Sequence, residues 1–117
     1  KSRSTLLRLF YLNQPVFAMM YFIYILYSVQ ADKFYVGHTH QPAERLNQHR
    51  TNPGEKFTGR YSDWSMKALF EVGDKKGDAD KIEKWIKRQK SRKLIELLID
   101  PSFVPQGMMA QLVRFIP

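Results

Sequence analysis

The hydrophobic pattern predicts an α+β domain, a three-stranded antiparallel sheet flanked by helices. Three observations lead there. Residues 21–27 (YFIYILY) and 34–38 (FYVGH) are strand-like runs, joined by a connection too short for anything but a hairpin. Residues 66–72 repeat a two-residue alternation. From Asp78 onward the apolar period lengthens to that of a helix.

The elements follow in order. Every position of 21–27 is apolar or aromatic, so this strand is expected at the centre of the sheet with both faces covered. Ala31, Asp32 and Lys33 supply the polar turn into the second strand. Pro42 suits the first position of a helix through Ala43, Leu46 and His49, because the amide it lacks would be unpaired there; Asn52, Pro53 and Gly54 stop it. Residues 55–63 read as a polar loop carrying Lys56 and Arg60 around Gly59. In the third strand, Met66, Ala68, Phe70 and Val72 alternate with Lys67, Leu69 and Glu71, which assigns the first four to one face. Beyond a charged turn, Ala79, Ile82, Trp85 and Ile86 form the stripe of a second helix. Ser91 caps a third helix holding Leu94, Ile95, Leu97, Leu98 and Ile99, ended by Asp100 and Pro101.

A chain of 117 residues is one domain's worth. With 19 Lys and Arg against 11 Asp and Glu, its formal charge of +8 favours polyanionic partners. It has no cysteine, which excludes a disulfide framework and any thiolate metal site and makes the reducing cytoplasm the expected location. Residues 1–19 begin basic and hold apolar residues, yet Arg8, Asn13, Gln14 and Pro15 interrupt them. No uninterrupted apolar run of about 18 residues exists, so stable membrane association is not expected. These residues read as a leader, residues 20–101 as the domain and residues 102–117 as a C-terminal tail; a monomer is the default.

Candidate chemistry rests on few residues. Tyr24 and Tyr35 sit on paired strands, where their hydroxyls can converge. Gly37, two residues past Tyr35, weakens a strand unless something approaches the backbone; a phosphate or a bulge would account for it. Arg45 and His49 are four apart and project from one helix face. A guanidinium fork grips two oxygens of one phosphate and keeps its charge throughout the reaction, and histidine moves protons near neutral pH. Glu83 lies at the edge of its helix's apolar stripe, where a carboxylate can face a cleft and hold Mg²⁺ together with phosphate oxygens and water. It also precedes Lys87 by one turn, the spacing of an ordinary surface ion pair. His38, His40 and His49 have no fourth partner for zinc. Between residues 81 and 93, Lys81, Lys84, Lys87, Arg88, Lys90, Arg92 and Lys93 face a single acid, Glu83, more charge than solubility requires. With Lys56 and Arg60 they form a candidate phosphate-tracking surface.

Over residues 21–99 this arrangement resembles the GIY-YIG endonuclease superfamily, in its small stand-alone form. The first signature is Phe22-Ile23-Tyr24, with phenylalanine in place of the leading glycine, and the second is Tyr35-Val36-Gly37. Further strings in the same order are Tyr24-Ile25-Leu26-Tyr27-Ser28, Gly37-His38-Thr39 leading to Arg45-Leu46 and His49, Lys56-Phe57-Thr58, Trp64, and Glu83-Lys84-Trp85-Ile86-Lys87 followed by Ser91-Arg92-Lys93. The resemblance implies an α/β/α sandwich and hydrolysis of a DNA phosphodiester with one Mg²⁺ or Mn²⁺ ion. It places Tyr24 and Tyr35 in the site, Arg45 on the scissile phosphate and Glu83 on the metal; His49, on the face of Arg45, is read as assisting proton movement or substrate placement. Gly37 and His38 would border the substrate, in a repair or recombination setting. His38 stands where repair-incision relatives carry lysine, and no counterpart of their late asparagine is evident. The competing expectation keeps the fold as a non-catalytic nucleic-acid binding module; RNA fits the charge as well as DNA does.

Overall fold

Strand β1 (Tyr21–Ser28) runs through the middle of the sheet, as its apolar sequence requires: Ile23, Ile25 and Leu26 are wholly buried, and Phe22 and Tyr24 nearly so. The computed structural model describes residues 19–51 and 61–115. It continues through β2 (Lys33–Thr39), α1 (Pro42–Thr51), β3 (Ser65–Gly73), α2 (Lys76–Arg88), α3 (Arg92–Ile99), a 3₁₀ turn (Gly107–Met109) and β4 (Val113–Arg114). The order across the sheet is β2-β1-β3-β4, antiparallel at every junction. The expected leader, up to residue 18, and the loop with Lys56 and Arg60 lie outside the described residues.

The sheet therefore has four strands where the sequence predicts three. β4 is two residues long and pairs Arg114 with Phe70 and Val113 with Glu71. So short a strand has no periodicity to detect. The segment read as a tail also sends Met109 and Leu112 into the main core, and Phe115 packs edge-on against Phe22 at a ring separation of 6.4 Å.

The two faces of the sheet differ. On one, Ile23, Ile25, Val36, Ala68 and Phe70 meet Ala79, Ile82 and Ile86 of α2 and Leu98 of α3, a contiguous apolar core. On the other, Tyr24, Leu26 and Trp64 form a smaller cluster with Tyr35, Leu46 and Leu69 beneath α1. Met66 joins this second cluster, although simple alternation assigns it to the face of Ala68. The cause is a register shift: Ile25 pairs with Ala68 but Leu26 with Met66, so Lys67 is an extra residue that reverses the facing beyond it.

The β1–β2 hairpin is pinned by Asp63, whose carboxylate accepts bonds from Ser28 Oγ (2.6 Å) and the Gln30 amide (2.9 Å). Helix α1 carries little apolar surface; its buried residues are Pro42 and His49. Its contacts with the sheet include Leu46 in the second cluster, Arg45 and His49 on Tyr24, and Arg50 Nε donating to the Trp64 carbonyl at 2.7 Å.

Candidate active site

Tyr24 and Gly37 are direct partners across β1 and β2. The Tyr24 ring lies over the glycine, so a Cβ at position 37 would sit 2.5 Å from the phenol oxygen. The backbone approach anticipated at Gly37 is thus made by the tyrosine itself. A bulge is excluded, since the β1–β2 register runs unbroken from Phe22–Thr39 to Ser28–Lys33. Tyr35 points to the same face, its ring 6.2 Å from that of Tyr24.

Helix α1 lowers two side chains onto this pair. His49 Nε2 is 3.0 Å from Tyr24 Oη, and the imidazole lies 4.7 Å from the Tyr35 ring. Arg45 Nε donates to Tyr24 Oη at 3.4 Å, and Arg45 Nη1 donates to Gln48 Oε1 at 2.9 Å. The i, i+4 spacing of Arg45 and His49 delivers both to one phenol. Gln48, absent from the sequence-based candidates, steadies the guanidinium; its only signal was a position three residues after Arg45.

Burial pushes the Tyr24 phenol far above the ordinary tyrosine range; the bond from Arg45 opposes this, and the nearby charges of Tyr35 and Glu83 add to it. Burial thus favours the neutral, hydrogen-bond-donating form of Tyr24 in the resting protein.

Glu83 reaches the site from α2, beyond the opposite face of the sheet, around the β2 edge. Its Oε1 lies 2.5 Å from His38 Nδ1, and its Oε2 accepts from Lys87 Nζ at 2.6 Å. The expected ion pair with Lys87 is present, but Glu83 is only 14% exposed and is no surface ornament. Lys87 Nζ also lies 5.3 Å from the centre of the Tyr35 ring, which links the acid to the phenols. His38 and Lys87 thus hold the carboxylate from its two oxygens. No group of three or more His, Cys, Asp or Glu side chains suited to a metal occurs among the described residues. The donor set still fits one hard divalent ion: each Glu83 oxygen keeps a lone pair, and Mg²⁺ is commonly held by one carboxylate with phosphate oxygens and water.

The flanking cations divide. Lys84 pairs with Asp80, and Arg92 with Asp32 and Glu96. Arg88, Lys90 and Lys93 are exposed. A cleft of about 290 Å³ on the other side of the site is lined by His38, His40, Arg45, Gln48 and Lys76; Lys76 was not among the sequence-based candidates. His40 meets Tyr21 edge-on, at 5.8 Å between ring centres.

Two phenols, an arginine and a histidine thus gather beneath one helix of an α+β sandwich, with a helical glutamate at the strand edge. The GIY-YIG catalytic domain model matches residues 20–95, and the chain belongs to that family. The family is one of nucleases, so a nucleic acid is the substrate class. No curated protein matches the chain.

Proposed function

We infer that this protein is a divalent-metal-assisted endonuclease that hydrolyses DNA phosphodiester bonds. The observation that carries this reading is the meeting of Tyr24, Arg45 and His49 at one phenol oxygen, beside Tyr35 and across the strand edge from Glu83. Arg45 holds non-bridging oxygens of the scissile phosphate and offsets the charge that builds as phosphorus becomes five-coordinate. Tyr24, kept protonated by burial, donates a hydrogen bond toward the same oxygens. Tyr35, half-buried beside Tyr24, takes a proton from the attacking water as its own hydroxyl proton passes to solvent, and His49 packs against its ring. Glu83, positioned by His38 and Lys87, would hold Mg²⁺ or Mn²⁺, which supplies Lewis-acid stabilisation of the phosphate.

One observation favours a second reading, a DNA-binding module without turnover: both Glu83 oxygens are already bonded, so the carboxylate is satisfied without an ion. Nicking of supercoiled plasmid in Mg²⁺ or Mn²⁺ separates the two. Nicking that is lost together in Tyr35→Phe, Arg45→Ala and Glu83→Gln establishes the nuclease. Salt-dependent binding with no metal-dependent nicking establishes the module.

A further inference from the structure

We propose that the groove between the outer edge of β2 and the α2–α3 junction takes an unpaired nucleobase next to the scissile phosphate. This rests on the nuclease reading and narrows the substrate to DNA with an unstacked nucleotide at the cut. The groove measures about 390 Å³, enough for a nucleotide, and its walls are apolar: Phe34 and Val36 on one side, Ile86 and Ile95 on the other. Its rim carries Lys33, Lys87, Lys90 and Arg92. The one acid there, Asp32, is taken up by the Tyr27 hydroxyl (2.6 Å) and Arg92 (2.8 Å), so the rim presents net positive charge over an apolar floor.

Its shape is held in place. Two non-glycine residues among those described have positive φ, Asp32 (51°) and Lys90 (48°), and both stand on the lips of this groove. Both conformations have local causes, the hairpin turn for Asp32 and the residue after the C-cap of α2 for Lys90, and they fix the outline of the lips. Arg92 fastens the lips from α3 to the hairpin, bonding the Asp32 carbonyl at 3.1 Å while lying 5.0 Å from the centre of the Phe34 ring. Tyr35 and Lys87 line the groove and also belong to the candidate active site, so a strand whose phosphate meets Arg45 can place its neighbouring base here. A base stacked inside a duplex cannot enter a slot between a strand edge and two helices; an unpaired one can, and stacking in an apolar slot tolerates any base. The cationic rim favours a nucleotide over an extended peptide along the open β2 edge.

The test is fluorescence titration, in EDTA, of the full chain with duplexes carrying 2-aminopurine either as a single unpaired nucleotide or fully paired. Binding about tenfold or more tighter to the unpaired duplex, with quenching of 2-aminopurine, is expected. Ile95→Trp, which fills the groove, should bring the two duplexes within about twofold of each other while paired-duplex affinity holds; if that variant does not fold, Lys90→Glu should lose at least half of the preference. Equal affinity for both duplexes in the unsubstituted protein, or displacement of the DNA by an extended acidic peptide and not by deoxyadenosine monophosphate, overturns the proposal. Nicking of paired plasmid in Mn²⁺ is run beside it. Nicking without a preference for unpaired bases removes the groove and keeps the nuclease; a preference without nicking does the reverse.

Discussion

Tyr24 lies across the backbone of Gly37, and a methyl group at position 37 would come within 2.6 Å of the phenol Cζ atom. The second signature's glycine is thus a packing requirement of the first signature's tyrosine. Gly37→Ala must displace the ring that His49 and Arg45 both contact. We expect a stability loss of about 1–3 kcal/mol from overpacking. Nicking should fall by a larger factor than the lowered melting temperature explains. Thermal melts and plasmid nicking on the same preparation check this.

The buried Tyr24 phenol gives stability a signature at alkaline pH. Its folded pKa is raised, so the unfolded chain releases this proton first, near the ordinary tyrosine value of about 10. Its contribution is fully present below about pH 10 and is lost as pH rises through the folded value. Stability of the unsubstituted protein should therefore fall more steeply above about pH 10 than that of Tyr24→Phe. Denaturant titrations between pH 8 and 11 followed by circular dichroism compare the two slopes.

Glu83→Gln keeps the shape of the side chain and removes its charge. It should reduce metal-dependent nicking by on the order of 10²-fold or more, while DNA affinity holds within about twofold or rises, since a negative charge leaves a cationic surface. Nicking kinetics paired with fluorescence anisotropy read both. Retained nicking would remove Glu83 from the site.

Lys87 and Lys93 sit six residues apart on the cationic stretch, but Lys87 bonds Glu83 and covers Tyr35 while Lys93 is exposed. Each substitution to alanine should lower the slope of log affinity against log salt by about 1. Lys87→Ala should also cut the nicking rate at saturating DNA, and Lys93→Ala should leave that rate unchanged.

Phe115 is 7% exposed, packs on Phe22 and donates its amide to the Leu69 carbonyl at 2.8 Å. Phe115→Ala should cost about 3 kcal/mol, read as a shifted denaturation midpoint with an unchanged slope. A loss under about 0.5 kcal/mol would mean that this segment does not belong to the core.

The sequence by itself determined the three longer strands and the helices, and it picked out Tyr24, Tyr35, Arg45 and His49, which the fold brings together, because each depends on spacing along the chain: two residues for a strand face, four for a helix face. It also singled out Gly37, though not what lies against it, since cross-strand register is a property of the pair. Tertiary structure alone decided the rest. The facing of Met66 follows from one extra residue against β1, and β4 exists only because β3 offers it an edge. Along its helix Glu83 reads both as a carboxylate at the edge of the apolar stripe and as a partner of Lys87; docking α2 against β2 lays it on His38 as well, at the edge of the sheet. Such contacts join residues 45 positions apart, and no local period records them.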